Sequence, residues 1–156
     1  TGIDGTLWIA GRELSAHYLG MIDKLGLTGK VRAIPPTSQL TDLYQAANWF
    51  VHPTLYDACA NTVLQSMACG LPGLISVQDG AVDHIRDGEN GFMLYHPADV
   101  DELRERIQMA FSLPQEKRQA LGHAARAAML PLTWDAHVAD WMKLIGQGFG
   151  KSAPEA

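Results

Sequence analysis

The stretch HPTLYDACANTVLQSMACGLP, residues 52–72, joins a strand end, a polar loop and an amphipathic helix without interruption. Ala60, Val63, Leu64, Met67 and Ala68 recur at i, i+3, i+4, i+7 and i+8, which places them on one helical face and predicts that this face is buried. Gly70 supplies a stop signal, and Pro72 lies just beyond it. The loop before the helix carries Asp57, Ala58, Cys59, Ala60 and Asn61, and its small side chains let backbone amides approach a ligand closely. In an open α/β sheet such loops lie outside the carboxyl ends of the strands, where the free N–H groups of the following helix attract anions.

Outward from this segment, β-type and helix-type stretches alternate. Residues 6–10, 31–34, 49–52, 73–76 and 91–95 read as short apolar strands, and 14–25 and 40–47 as crossover helices of a parallel sheet. Leu14, Tyr18, Met21, Ile22 and Leu25 share one face of the first helix, and Leu40, Leu43, Tyr44 and Ala47 one face of the second. Turn signals at Gly29-Lys30, Pro35-Pro36, Asp87-Gly88 and Asn90-Gly91 fall where the alternation requires them. The pattern predicts an α/β fold: a Rossmann-like open parallel sheet, all five strands in one sheet, with helices on both faces. After Tyr95 the chain turns helical over 99–111, 114–129 and 133–145, with Asp99 or Asp101 and Thr133 as N-caps. Residues 1–145 read as one domain, and 146–156, rich in Gly, Ser and Pro, as a flexible tail.

At 156 residues and 47% hydrophobic content, the chain has the size and composition of one soluble globular domain. Its 12 Lys and Arg against 17 Asp and Glu leave a net charge of −5 and no basic run, which speaks against nucleic acid as a partner. No apolar run reaches membrane-spanning length. Cys59 and Cys69, separated by about 15 Å of helical rise, are too far apart to bond to each other, which favours a reducing compartment. The six histidines, His17, His52, His84, His96, His123 and His137, show no metal-ligand spacing and read as surface or capping residues. Residues 26–30, GLTGK, are too short for a phosphate loop and read as a turn, and no GxGxxG follows a strand. Trp134 and Trp141 read as a packing stripe on the last helix, and Asp83, next to His84, as a helix-start carboxylate.

Asn61 and Gln65 lie one helical turn apart and point toward the same edge of the crevice. Spacing alone favours a solvated helix edge over ligand contact, and Asn61 fits either a helix cap or a ligand contact.

Residues 52–72, followed by Gly80-Ala81-Val82-Asp83, resemble the donor-binding half of retaining glycosyltransferases built from two facing Rossmann-like domains, with a lipopolysaccharide-core-like variant of the motif. The flanks agree: LWIAG at 7–11 resembles the family's apolar strand ending in glycine, 25–31 its next helix-to-strand passage, and GENGFML at 88–94 its closing strand. The resemblance implies a nucleotide-diphosphate sugar as substrate, no metal or other cofactor, and a glycan or lipid-linked acceptor. It implies that Asp57, in place of a glutamate, orients the transferred sugar as the catalytic-site carboxylate. Ala58, Cys59, Ala60 and Asn61 would surround the donor's phosphates, Gly80 and Ala81 line the sugar side, Gln65 meet the ribose, and Gly11, Pro36 and Thr37 lie toward the base. The second family glutamate, which grips both ribose hydroxyls, is Gln65 here and offers one acceptor oxygen instead of a charged pair.

The family's domain also opens with a central strand and a basic loop that stabilises the departing diphosphate, and both would precede Thr1. The domain is therefore expected to be truncated at its start, to have two unpaired strand edges, and to work with a further N-terminal Rossmann-like domain. The resemblance places the enzyme in the cytoplasm, peripheral at the inner face of the membrane in its full-length form. The alternative reading is a degenerate, inactive sugar-nucleotide fold kept as an interaction module, motivated by Gln65 and by the missing basic loop.

Overall fold

The computed structural model describes residues 3–149. Five strands and six α-helices follow in the order β1 (Leu7–Ala10), α1 (Ala16–Lys24), β2 (Val31–Ile34), α2 (Leu40–Ala46), β3 (Phe50–His52), α3 (Asn61–Ala68), β4 (Gly73–Ser76), β5 (Phe92–Leu94), α4 (Val100–Ser112), α5 (Gln115–Met129) and α6 (Trp134–Phe149), with a short 3-10 helix at Gly80–His84 between β4 and β5. All strand pairing is parallel, as the β/α alternation predicts.

The strands do not form one sheet. β1 pairs with β2 in a two-stranded sheet, and β3, β4 and β5 form a second sheet in that order. Among the described residues, β1 and β3 each keep one edge without a strand partner.

The three-stranded sheet holds the core and is covered on both faces. Side chains alternate along β4: Ile75 packs with Val63, Met67, Ala81, Ile85, Ala125 and Met129, while Leu74 packs with Phe92, Leu94, Ala110 and Leu121. The face of α3 read from the sequence is buried at Val63 and Met67, with Ala60 buried at the N-cap. Its last turn closes with Gly70 at φ +77°, where Gly70 N–H donates to Met67 O and Leu71 N–H to Ser66 O. Asp99 is the cap of α4, its Oδ1 accepting from the Asp101 and Glu102 amides.

The first unit differs from expectation. Helix α1 has no buried residue, and Tyr18, Met21 and Leu25 of the face predicted to be internal are exposed. Helix α6 carries exposed Trp134, Val138, Trp141, Met142 and Ile145, so the tryptophan stripe packs on no core within the described residues. It also runs to Phe149, past the expected end at Ile145, so 146–149 are helical and only 150–156 of the expected tail lie outside the described residues. No helix among the described residues is long and apolar enough to cross a membrane.

Helix α5 seats on the α3–β4 turn at Gly122, where an added Cβ would stand 2.2 Å from the Gly70 carbonyl oxygen. Arg126 Nη1 donates to Ala68 O at 3.1 Å beside this contact. Gly122→Ala is expected to lower stability by about 1–3 kcal/mol through overpacking against backbone, read as a reduced urea midpoint by circular dichroism. An unchanged midpoint would contradict this seating of α5.

Candidate functional site

Parallel pairing of β3 with β4 brings the carboxyl ends of both strands side by side, and the loops leaving them are laced together. Asp57 N–H donates to Gln78 O at 3.2 Å, and Gly80 N–H donates to Asp57 O at 3.0 Å. Between these bonds lies Asp79, only 1% exposed. Its Oδ1 accepts from Ala60 N–H at 3.1 Å and from Ala81 N–H at 2.8 Å, so one carboxylate oxygen fastens the start of α3 to the start of the 3-10 helix. Gly80 fits because it lacks a side chain: a Cβ there would stand 1.9 Å from Ala58 O.

Asp57 is half-buried, and its Oδ1 accepts from Cys59 N–H at 3.1 Å in a local turn. Its other oxygen has no protein partner among the described residues. Ala60, not Asn61, is the N-cap of α3, and no side chain caps that helix end. Asn61 is therefore the first helical residue, exposed, and the capping role open to it in the sequence is not realised. Gln65, one turn further and also exposed, receives a long 3.5 Å hydrogen bond from the Tyr44 hydroxyl at Oε1. Burial of that hydroxyl, and then Cys69, push the Tyr44 pKa above the ordinary phenol value.

The structure thus brings Asp57, Ala58, Cys59, Ala60, Gly80 and Ala81 into one hydrogen-bonded cluster, with Asn61 and Gln65 on the adjoining helix. Gly11, Pro36 and Thr37 follow the carboxyl ends of β1 and β2; Gly11 N–H donates to Ile34 O, and Thr37 Oγ1 accepts from Gln39 N–H. No hydrogen bond joins these three to the Asp57 cluster among the described residues. Two concavities lie elsewhere: an open groove of about 340 Å³ beside Tyr44, Asn48, Pro72 and Arg118, and an apolar one of about 610 Å³ beside Phe92, Met109, Leu113 and Leu121.

Asp79 and the role of His52 were not singled out by sequence reasoning. The Asp79-Gly80 dipeptide is a turn signal that marks the first, and the strand-end position of His52 marks the second. His52 Nε2 stands 3.1 Å from Asp79 Oδ2, off hydrogen-bond alignment, and neither atom has another protein partner. His52, Asp57 and Asp79 each offer an atom within 4.8 Å of the others, close enough to share a divalent ion.

Carboxylates dominate the local field. Partial desolvation, then Asp79, Asp57 and Asp83, raise the Cys59 thiol above its ordinary value, so little thiolate forms at neutral pH. Alkylation of Cys59 by iodoacetamide is expected to be slower than that of a free thiol at pH 8 and to accelerate in Asp57→Asn, which removes one of the opposing charges. Mass-spectrometric rates at several pH values check this, and a rate unaffected by the substitution would contradict the assigned cause.

A family model described as "Glycosyl transferases group 1" matches residues 3–128. The D-inositol 3-phosphate glycosyltransferase of Mycobacterium avium is 30% identical over 122 residues, which are 77% of this chain and 28% of that enzyme. The lipopolysaccharide glucosyltransferase WaaG of Escherichia coli is 24% identical over 106 residues, 68% of this chain and again 28% of the relative. A sucrose-phosphate synthase from Thermosynechococcus elongatus has the same fold at TM-score 0.81 and 25% identity, over 95% of this chain and 39% of its own. The chain thus spans under a third of the length of these two curated relatives.

Proposed function

Because the chain belongs to the group 1 glycosyl transferases, we propose that it holds the nucleotide-sugar donor of a retaining, metal-independent glycosyltransferase that moves a hexose to a glycan or lipid-linked acceptor. The observation that carries this reading is the clasp of the Asp57 loop to the Gly80 loop at the carboxyl ends of β3 and β4, beside a helix start with no side-chain cap. Uncapped N–H groups at the start of α3 suit a diphosphate, which gains from both the free donors and the helix dipole.

In this reading the unengaged oxygen of Asp57 accepts hydrogen bonds from sugar hydroxyls. Gly80 and Ala81 line the sugar side, where an absent or minimal side chain leaves room. Gln65 meets the ribose with its one amide oxygen, which also receives the long hydrogen bond from the Tyr44 hydroxyl. Gly11, Pro36 and Thr37 lie toward the base across the sheet.

A parallel strand pairs between β1 and β3 in the working enzyme, and the loop that follows it brings cations to the departing diphosphate. The acceptor site and the opposing wall of the cleft come from a further Rossmann-like domain. The unpaired edges of β1 and β3 and the exposed apolar faces of α1 and α6 support both statements. The enzyme works in the cytoplasm, at the inner face of the membrane when its acceptor is lipid-linked.

Calorimetry of the protein in its full natural length with UDP, GDP and ADP tests the donor role. One of them is expected to bind saturably, and UDP-, GDP- or ADP-glucose to bind more weakly in Asp57→Ala. Gln65→Glu is expected to tighten binding by about ten-fold, as a charged acceptor pair replaces one amide oxygen on the ribose. An unchanged affinity in Gln65→Glu would remove the ribose assignment. Gln65 also favours one rival, a fold that keeps the architecture without transfer, and failure of all three nucleotides to bind would sustain that rival.

A further inference from the structure

Asp79 is the most deeply buried charged side chain of the site, and its contacts reach three separate elements. Oδ1 accepts from the amides of Ala60 at the start of α3 and Ala81 in the 3-10 helix, and Oδ2 stands 3.1 Å from His52 Nε2 at the end of β3. Two backbone donors aimed at one oxygen fix the spacing between the loops, because lengthening either bond leaves a buried N–H without a partner. His52 is held in turn by stacking of its ring on Phe50, with centroids 6.0 Å apart.

We infer that Asp79 is the positioning residue of the donor site, holding the Asp57 and Gly80 loops at the spacing the donor meets. The inference rests on the donor reading above and adds to it what holds the loops. Asp79 touches no donor atom in this account. It acts through the Ala60 and Ala81 amides, whose capture leaves the following amides of α3 turned toward the phosphates.

The test uses the protein in its full natural length with UDP-, GDP- and ADP-glucose. Asp79→Ala should weaken binding by roughly ten-fold or more at pH 6. Asp79→Asn retains an oxygen for both amides and should recover most of that loss. In the unliganded protein, amide exchange read by NMR should show Ala60 and Ala81 losing protection in Asp79→Ala and keeping it in Asp79→Asn. Wild-type affinity and protection in Asp79→Ala overturn the inference alone. Failure of the wild type to bind any of the three donors removes the donor reading and the inference with it.

Discussion

A single buried carboxylate oxygen, Asp79 Oδ1, sets how the two loops at the carboxyl ends of β3 and β4 stand against each other. Its bonds to Ala60 and Ala81 bring Ala58 and Gly80 so close that position 80 excludes a Cβ, and the same closeness lets Gly80 N–H reach Asp57 O. Asp57 thereby becomes a fixed feature of the cleft instead of one residue on a free loop. His52 at the strand end faces the other oxygen of the same carboxylate, its Nε2 standing 3.1 Å from Oδ2.

That cluster depends on the layer below it. β4 is buried along its whole length, with Ile75 on one side and Leu74 on the other, so the ends of β3 and β4 sit on the best-packed part of the chain. α3 is pinned at its far end by Gly70 and Gly122 and along its body by Val63 and Met67. A rigid helix whose N-terminus opens toward a loop cluster is a suitable platform for an anion, because its donors are already oriented before the ligand arrives.

Much of this was legible in the sequence, for reasons that particular residues make plain. The i, i+3, i+4 spacing from Ala60 to Ala68 reported the helix and its buried side, and Gly70 reported its end, because both rest on local geometry. Parallel pairing followed from the β/α alternation. The division into two sheets was not read, since strand-type sequence at 7–10 and 50–52 carries no record of which edges find a partner. α1 misled for the same reason: its apolar face is genuine, but a face needs an opposing surface, and none of the helix's residues is buried. Asp79 escaped notice because an aspartate before glycine reads as a surface turn, whereas its burial comes from tertiary contacts with Ala60 and His52. Asn61, taken alone, fits a cap, yet the backbone enters the helix one residue earlier because Asp79 captures the Ala60 amide.

The most direct measurement is amide chemical-shift mapping of the isotopically labelled protein in its full natural length, titrated with whichever of UDP-, GDP- or ADP-glucose binds. The largest changes are expected at the amides of Ala58, Cys59, Asn61, Gly80 and Ala81, with smaller ones along the exposed edge of α3 as far as Gln65. Changes centred instead on the groove of Tyr44, Asn48 and Arg118, with the Asp57 and Gly80 loops silent, would contradict the account.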